Sequence, residues 1–523
     1  MKTRLDIALL ALLVPLFCGC GNDARFSVTP RMIGEAVSSL PFEMEAPSLP
    51  VIPKYSVSLS DFGAVGDGVT MCTDAFASAM SHLSQRGGGR LVVPAGIWLT
   101  GPIELFSHTD LHLEEGAVVI FSPDRDLYPM IGTSFEGLDC RRCESPIHAD
   151  GATDVAITGK GTFEGSGDAW RPLKKGKVTE SAWKKKLASG GFVDEANGIW
   201  YPDEGFLKGQ SLADNNLNVP HGLSTDEEWA SVKSFLRPVM VSIRNCERVL
   251  IEGCNFQNSP CWHIHPLMCK DVVVSGITVR CPSYSQNGDG IDIESCTNTL
   301  LIGSAFDVGD DGICVKSGKD ADGRRRAMPT RNLVVEGCTV YHGHGGFVVG
   351  SEMSGGVENV SVSNCRFLGT DVGLRFKSKR GRGGVVRDIW IRDICMTDIQ
   401  TETLLFDLFY GGMSAVEAAQ KAAEDAAKGI VTVEETFEVD ETTPAFRDIH
   451  ISDVVCNGAD RAMYFNGLPE MPVSGVTIEN CTITSRTGIV VSRSENVKMR
   501  NVAIHQQEGD PVTILNSTNI DIQ

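Results

Sequence analysis

The stretch 332–340 has the sequence NLVVEGCTV, and a similar phrase returns along most of the chain. Most copies begin with Asn or Asp, alternate apolar and polar residues, and carry Gly, Asn or Asp at the sixth position. The other copies begin at residues 110, 154, 248, 271, 298, 359, 388, 448, 475, 496 and 519. From residue 248 onward the period is 21 to 34 residues, apart from one gap of 60, and a repeat of this length indicates a solenoid.

The alternation within each phrase predicts a strand with one buried face. The strands are rich in β-branched residues and bounded by Gly, Asn and Asp, without helical periodicity, which excludes helical repeats. The phrases lack the regularly spaced Leu of leucine-rich repeats, and their period is shorter than that of a propeller blade, so both folds are disfavoured. The sequence therefore predicts an all-β chain, folded as a right-handed parallel β-helix with loop and helix excursions.

Residues 1–20 have a basic start and an apolar run too short to span a bilayer. The run ends at Cys20 after a small residue, which is typical of a bacterial lipoprotein signal with Cys20 as the lipidated residue. A plain secretory signal cut nearby is the alternative. Either form predicts an exported protein, and the first predicts a lipid-anchored one on the periplasmic or cell-surface side of a membrane.

The rest of the chain divides into a lead-in segment, residues 21–54, and the β-helix, residues 55–523. Two insertions interrupt the period at about 165–236 and 411–440, and the second contains an Ala-rich stretch that predicts a short helix. The first insertion is rich in Lys and aromatic residues. We expect the aromatic residues to form a surface that stacks on sugar rings, and they are Trp170, Trp183, Trp200 and Tyr201.

The formal net charge is −20, which argues against a nucleic-acid partner. It also repels a polyanionic substrate at long range, so an acidic sugar needs a local cationic site. The chain has 17 cysteines, several of which occupy one position of the repeated phrase, where Cys acts as a small buried hydrophobe. Cys140 and Cys143 form a close pair, for which a structural role, including a local disulfide, is favoured over redox chemistry or zinc binding.

Two acidic phrases, QNGDGID from residue 286 and VGDDGIC from residue 308, contain Asp289, Asp310 and Asp311. Asp310 and Asp311 follow Asp289 by 21 and 22 residues, about one coil of the solenoid. The carboxylates should therefore be stacked on neighbouring strands, roughly 4.8 Å apart. Such proximity should raise at least one pKa and keep a carboxylic acid protonated. A single phrase of this kind is usually a solvated turn. Two in register indicate acid–base chemistry.

The next two coils carry His344, in the sequence HGHGG, and then Arg375 and Lys377. Spacing of two residues puts both cations on one face of a strand. Cleavage beside a carboxylated sugar requires carboxyl groups for proton transfer and cations for the sugar carboxylate. The ordered set of side chains therefore predicts that reaction.

These motifs resemble those of glycoside hydrolase family 28, the polygalacturonase family. Its Asn-x-Asp, Asp-Asp, Gly-His-Gly and Arg-x-Lys motifs have counterparts at Asn287/Asp289, Asp310/Asp311, residues 343–345 and Arg375/Lys377. The resemblance extends to the opening phrase at residues 61–68 and to residues 258–266. One departure is Gly288, where polygalacturonases commonly have Thr, and this weakens the case for galacturonan over related pectic substrates.

The resemblance implies hydrolysis of galacturonate-containing pectic polysaccharide with inversion at the anomeric carbon. Asp310 would be the general acid, Asp289 and Asp311 would activate water, and His344 would orient the acid. Arg375 and Lys377 would bind the substrate carboxylate. Further substrate contacts are expected from Asn287, Trp262 and His265. No metal or organic cofactor is expected, and the protein should be a monomer.

The insertions and the phrase GSEMSGG from residue 350 favour action at the chain end (exo) over internal cleavage. Three alternatives stay open from the sequence. The substrate could be rhamnogalacturonan or a substituted galacturonan. The enzyme could be a pectate lyase, with calcium at the Asp cluster. The same scaffold could also serve as a non-catalytic glycan-binding surface protein.

Overall fold

The structure is a computed structural model, and it describes residues 27–213, 218–411 and 435–523. Three predicted features lie outside the described residues, namely the signal segment, the lipidation site at Cys20 and the Ala-rich helix of the second insertion. The described chain forms one long stack of parallel strands, wound as successive coils. The predicted right-handed parallel β-helix is confirmed.

Each coil contributes a strand to three parallel sheets, which we call A, B and C. Sheet A contains β5 (Ile103–Glu104), β10 (Ile147–Asp150), β16 (Val241–Arg244), β19 (Ile264–Leu267), β22 (Ile291–Glu294), β25 (Asp311–Lys316), β28 (Gly345–Gly350), β31 (Val372–Lys377), β33 (Glu402–Asp407) and β35 (Arg461–Asn466).

Sheet B contains β1 (Ser56–Ser58), β3 (Gly89–Val93), β6 (Thr109–Leu113), β11 (Thr153–Gly159), β17 (Glu247–Glu252), β20 (Lys270–Ser275), β23 (Thr297–Ile302), β26 (Thr330–Glu336), β29 (Val357–Ser363) and β38 (Thr518–Ile522). Sheet C contains β2 (Asp67–Met71), β4 (Gly96–Thr100), β7 (Ala117–Phe121), β12 (Thr162–Glu164), β18 (Asn255–Gln257), β21 (Thr278–Arg280), β24 (Ala305–Asp307), β27 (Thr339–Val340) and β30 (Arg366–Leu368).

Four longer strands bend around the corners of the last coils. β32 (Val385–Thr397) and β34 (Ala445–Asn457) continue from sheet B into sheet C. β36 (Val473–Ser492) and β37 (Ser494–Leu515) pair with their neighbours along all three sheets.

The repeated phrase explains the corners of each coil. Its first residue has a positive φ in copy after copy, as at Asn298 (φ 56°), Asn332 (φ 57°) and Asn359 (φ 56°). Asn and Asp tolerate this left-handed conformation better than most residues because their short side chains form local hydrogen bonds. The side chains also join the coils, since Asn332 Nδ2 donates to Asn298 Oδ1 (3.0 Å) and Asn359 Nδ2 to Asn332 Oδ1 (3.1 Å).

The apolar positions of the phrase point into the β-helix and form one continuous core. In the copy from residue 332 these are Leu333, Val335, Cys338 and Val340, all fully buried. The cysteines at this position are free and buried, as their place in the pattern predicts. Cys140 and Cys143 are also free, and burial raises the pKa of each thiol to about 12. These are properties of structural cysteines.

Helices cover the surfaces that the sheets leave open. α1 (Pro30–Ser38), within the lead-in segment, packs Ile33 against Val273, Leu300 and Val334 on the outer face of sheet B. α2 (Thr73–Gln85) packs its apolar face on the first coils. None of the helices in the described part of the chain is long and apolar enough to cross a bilayer.

Excursions from the coils gather beside sheet A. The first is an antiparallel hairpin of β8 (Met130–Phe135) and β9 (Leu138–Cys143). The first insertion forms a small antiparallel sheet, with α3 to α5 around it. Its elements are β13 (Leu173–Lys174), β14 (Phe192–Asp194), β15 (Ile199–Tyr201), α3 (Glu180–Ala188), α4 (Glu204–Ser211) and α5 (Asp226–Ala230). After β25 comes α6 (Asp320–Arg326).

Candidate active site

Asp289 and Asp311 are stacked on adjacent coils at the start of sheet A strands. Ile291 of β22 pairs with Ile313 of β25, and each aspartate lies two residues before its isoleucine. One oxygen of each carboxylate lies within 4.8 Å of the other. The predicted stacking of these two carboxylates is therefore present in the structure.

Asp310 reaches the same cavity although it is the direct neighbour of Asp311. It lies in the turn before β25, where the Asp311 backbone N–H donates to Asp310 Oδ1 (3.0 Å). The next coil passes close above it, as the His344 N–H donates to the Asp310 carbonyl (2.9 Å). A Cβ on Gly343 (φ 152°) would lie 2.5 Å from that carbonyl, so glycine is required there.

Two cations hold the Asp311 carboxylate. Lys377 Nζ lies 2.7 Å from Asp311 Oδ2, and an Arg375 guanidinium nitrogen lies 3.6 Å from Asp311 Oδ1. Burial alone would raise the pKa of Asp311, but Lys377, Arg375 and Lys316 outweigh it and lower that pKa to about 2. Asp311 is thus an anion, and the same contact raises the pKa of Lys377 against the effect of its burial.

Asp289 has the opposite surroundings. It is buried, its Oδ1 has no hydrogen-bond partner among the described residues, and Asp310 and Asp292 are close by. Burial, followed by repulsion from Asp310 and Asp292, raises its pKa well above the usual range. We expected at least one raised pKa in the cluster, and it falls on Asp289.

His344 lies at the open side of the cluster, half exposed. Its Nδ1 is 3.1 Å from Asp310 Oδ1, and its Nε2 is 3.8 Å from Asp371 Oδ2. The hydrogen bond to Asp310 raises the pKa of His344 despite partial burial. The imidazole of His344 therefore lies beside Asp310, the most accessible carboxylate of the three.

The aspartates line a cavity of about 650 Å³. Sequence reasoning missed several of its walls, which come from loops and from neighbouring coils. They are Glu136, Asn218, Lys316, Lys319, Ser351, Glu352, Lys379, Arg382 and Tyr410. The signal for Lys316 was available, since it ends the same strand as Asp311. Ser351 and Glu352 belong to the phrase from residue 350 that the sequence already marked, whereas the remaining residues lie in loops without a repeat register and could not be found in this way.

Glu352 joins the additional cations of the cavity. It lies 3.1 Å from Lys316 Nζ and 4.0 Å from both Lys319 and Arg382. Burial would raise the pKa of Glu352, but Lys316, Lys319 and Arg382 together lower it below its usual range. The lining of the cavity carries five lysine and arginine side chains beside five carboxyl groups, which gives an anionic substrate local cationic partners in an acidic chain.

The remaining predicted contacts have different positions. Asn287 and Trp262 line the cavity, and Arg237 donates to Asn287 Oδ1 (2.8 Å). Trp262 is buried, and Lys316 Nζ lies 4.8 Å from its ring centroid. The structure corrects the expectation for His265, which is 1% exposed beneath the cavity, with Nε2 2.9 Å from Glu294 Oε2. It supports the floor instead of meeting substrate.

The expectation of an aromatic sugar platform in the first insertion was wrong. Trp170, Trp183, Trp200 and Tyr201 are each at most 6% exposed. Trp170 and Tyr201 belong to a separate apolar core with Tyr128, Phe206 and Phe235. An excursion of this length buries its own core to hold its shape, and the largest aromatic side chains are the first to be buried.

Gly288, the departure from the family motif, has a local explanation. A Cβ there would lie 2.8 Å from Ser285 Cβ and 3.0 Å from the Ser285 carbonyl. The Gly288 N–H donates to that carbonyl (3.2 Å), which closes the turn ahead of Asp289. Glycine therefore fits this turn and leaves the carboxylate of Asp289 in the cavity.

A family model for glycosyl hydrolases family 28 matches residues 229–423, which contain all the predicted catalytic residues. A probable polygalacturonase of Vitis vinifera is 30% identical over 439 residues, covering 82% of this chain and 74% of the relative. The chain belongs to glycoside hydrolase family 28. It is a glycoside hydrolase, as its sequence motifs predicted.

Other relatives of this family 28 member agree with the assignment. An exo-poly-alpha-D-galacturonosidase of Dickeya chrysanthemi is 26% identical over 395 residues, covering 75% of this chain and 63% of that protein. The crystal structure of a hyperthermoactive exopolygalacturonase from Thermotoga maritima superposes with a TM-score of 0.71 at 30% identity. That superposition covers 92% of this chain and 97% of the Thermotoga chain.

Proposed function

We propose that this protein is an exo-acting, inverting hydrolase of galacturonate-containing pectic polysaccharide. The observation that carries the proposal is one cavity in which three aspartates are surrounded by lysine and arginine side chains. Carboxyl groups supply the acid and base of glycoside hydrolysis, and the cations match a uronic acid. The names of the two relatives and of the Thermotoga structure support the same substrate class.

In the proposed reaction Asp310 protonates the glycosidic oxygen as the bond to the anomeric carbon breaks. Water attacks that carbon from the opposite face, and its proton passes to the Asp289–Asp311 pair. Asp311 is the acceptor in this pair, since Lys377 and Arg375 keep it ionised. His344 Nδ1 is hydrogen-bonded to Asp310 Oδ1 and so orients the acid at the mouth of the cavity.

Arg375 and Lys377 are the proposed ligands of the substrate carboxylate. Both face Tyr410, whose ring centroid lies 5.7 Å from the guanidinium carbon and 5.1 Å from the ammonium nitrogen. Lys379 and Arg382, which line the same cavity, extend this positive wall. A uronate that displaces solvent here meets several charged donors, and each charge-assisted hydrogen bond strengthens its hold.

Exo action follows from what surrounds the cavity. Glu136 at the tip of the β8–β9 hairpin and Asn218 of the first insertion both line it, and Asn218 Nδ2 donates to Glu136 Oε1 (2.5 Å). The hairpin is fastened in turn to the loop after β25, where the Lys319 N–H donates to the Gly137 carbonyl (3.0 Å). An internal polymer segment needs a groove open at both ends, and we propose that these contacts close one side of it.

We further propose that the chain is exported, that it is cleaved just before Cys20, and that Cys20 carries the lipid anchor as the first residue of the mature protein. The lead-in segment would then connect the anchor to the β-helix, and its described part packs on the outer face of sheet B through Val28 and Ile33. Metabolic labelling with a fatty acid tests this proposal. Label lost in Cys20→Ser supports the lipoprotein signal, whereas export without label in the wild type supports the plain secretory signal.

Product analysis on a defined galacturonate oligomer tests the activity and its mode. Early release of monosaccharide alone supports exo hydrolysis, and mid-length oligomers at low conversion contradict it. Elimination by a lyase would produce an ultraviolet-absorbing unsaturated end. The same assay on rhamnogalacturonan and on substituted galacturonans identifies the substrate within the family. Binding without any product would leave a non-catalytic glycan-binding protein.

A further inference from the structure

The first insertion carries a strongly basic segment of an acidic chain. Residues 168–191 contain seven Lys and Arg against two Asp and Glu, whereas the whole chain has a net charge of −20. Repulsion from the rest of the molecule would keep a polyanion away, so a local basic segment is where such a polymer can approach. This concentration is not explained by the insertion's own core, which is apolar.

Part of this segment lines a second cavity, of about 450 Å³, between the insertion and the β-helix. Four cations surround it, namely Arg125, Arg171, Lys185 and Lys186. Arg171 is fixed by the β-helix, because its guanidinium donates to Asn258 Oδ1 (2.6 Å) and to the Ser259 carbonyl. Arg125 is held by Asp203, 2.9 Å away.

Neither lysine forms an ion pair within 4 Å with any residue that the structure describes. Lys186 lies along the buried Trp200, with Nζ 3.8 Å from the ring centroid, and donates to the Asp168 carbonyl. Lys185 is exposed at the rim. Two ammonium groups are thus directed to one cavity, where a bound carboxylate would be their natural counterion.

The cavity is next to the candidate active site. Tyr284 lines it, and Asn287, three residues later in the same turn, lines the catalytic cavity. Arg171 bonds to residues 258 and 259, just ahead of Trp262 in the catalytic floor. A polymer held at the insertion would therefore lie close to the strand ends that carry the aspartates.

We propose that this cavity, formed by Lys185, Lys186, Arg171 and Tyr284, binds uronate units of the polysaccharide that are distant from the bond being cut. It would act as an anchor for long polyanionic chains, so that affinity rises with chain length while the chemistry stays at Asp310. The proposal rests on the proposed function for its substrate class. The site itself lies in the insertion and uses none of the residues assigned to catalysis.

The test compares two double variants of the full-length protein. K185Q/K186Q removes the two lysine ammonium groups that line the cavity, and K175Q/K184Q removes two charges from the same segment without altering the cavity lining. For polygalacturonate we expect KM to rise roughly five- to tenfold in K185Q/K186Q, as for two partly exposed ion pairs. For digalacturonate kcat/KM should stay within about twofold, and the control variant should resemble the wild type.

Affinity electrophoresis in gels containing polygalacturonate measures binding without turnover. Retardation of the wild type and of the control, lost in K185Q/K186Q, supports the anchor even if no substrate is hydrolysed. An unchanged KM and unchanged retardation would overturn it, as would equal losses in both variants, which indicate general electrostatics. Sedimentation with anionic phosphatidylglycerol vesicles that depends on these lysines, without an effect on polygalacturonate, would overturn it in favour of a membrane contact.

Discussion

The middle and the C-terminal coils of sheet A have the same backbone arrangement but different side chains at equivalent positions. In the middle coils, Asp289, Asp311 and Lys377 face one cavity. Two and three coils beyond Lys377, its position is taken by Asn466 and Ser492, and that of Arg375 by Tyr464 and Val490. The strands pair in parallel in both regions. The repeat therefore supplies positions, and only particular side chains make a coil catalytic.

The middle coils also contain a buried carboxyl group without hydrogen bonds, whereas the compared carboxyl group of the C-terminal coils is exposed. Asp292 is fully buried and neither oxygen has a hydrogen-bond partner among the described residues, although Lys316 Nζ is 3.5 Å from Oδ1. Burial raises its pKa well above the usual range. Such groups cost stability unless they are paired, and they are typical of functional sites. At the other end of the β-helix, Asp510 lies two residues before Val512, as Asp311 lies two residues before Ile313 in the same register, and Asp510 is exposed.

The largest expected effect separates Asp310 of the middle coils from Asp510 of the last coil. Asp310→Asn should lower kcat on a galacturonate oligomer by about 10²- to 10⁴-fold, since the amide cannot donate the proton that the leaving oxygen needs. Asp510→Asn should leave kcat unchanged. Reducing-end assays measure both, with circular dichroism as the check on folding. Near wild-type turnover in a folded Asp310→Asn protein would refute the assignment of the acid.

The next effect compares two arginines of sheet A. Arg375→Ala should raise KM for a uronic-acid oligomer roughly 10- to 100-fold, as expected when a charge-assisted hydrogen bond is lost. Arg461→Ala, two coils later, removes an arginine that pairs with Glu402 (3.2 Å) and should leave KM unchanged. Equal weakening by Arg375→Ala on a carboxyl-reduced oligomer would show that this residue does not recognise the carboxylate.

The fold could be predicted because one short phrase determines both the corners and the core. The left-handed conformation of Asn332 depends on its own residue type, and the burial of Val335 depends on its place in the alternation of apolar and polar residues. The stacking of Asp289 on Asp311 followed from their spacing of one coil. These features are local or periodic, so a single sequence contains them.

The loops could not be predicted in the same way. Glu136 and Asn218 reach the cavity through excursions whose paths depend on tertiary packing. Trp200 was expected on a surface that stacks on sugars, yet it is buried. A long insertion needs an apolar core of its own, and the repeat pattern does not predict which residues form it. His265 follows the family phrase and still lies below the cavity. The sequence motif identified His265, but only the three-dimensional structure shows that the side chain is buried.

A smaller effect concerns pH. Because the pKa of His344 is raised by its bond to Asp310, the imidazole stays protonated below that pKa and loses its proton as pH rises through it. Wild-type kcat should therefore fall on the alkaline side as His344 deprotonates. His344→Gln should remove that limb and lower kcat about tenfold at mildly acidic pH. His505→Gln, an exposed histidine of the last coils, is the control. An identical pH profile for His344→Gln and the wild type would contradict the role.

The smallest effect should be the same in both regions, because it concerns the framework that they share. Asn359, beside the catalytic coils, and Asn496, near the C-terminus, both have positive φ, 56° and 54°. Asn359 Nδ2 donates to Asn332 Oδ1 (3.1 Å), and Asn496 Oδ1 accepts from Asn519 Nδ2 (2.6 Å). Replacement by Ala should cost about 1–2 kcal/mol of unfolding free energy at either site, from the left-handed conformation and the lost hydrogen bond. Replacement by Gly removes only the hydrogen bond and should cost less.

Thermal and urea unfolding of the four variants measure the difference, with kcat as the second readout. Greater destabilisation by Gly than by Ala would contradict the conformational explanation. A large loss of kcat in a stable Asn359→Gly protein, without one in Asn496→Gly, would show that the framework also takes part in the chemistry of the middle coils.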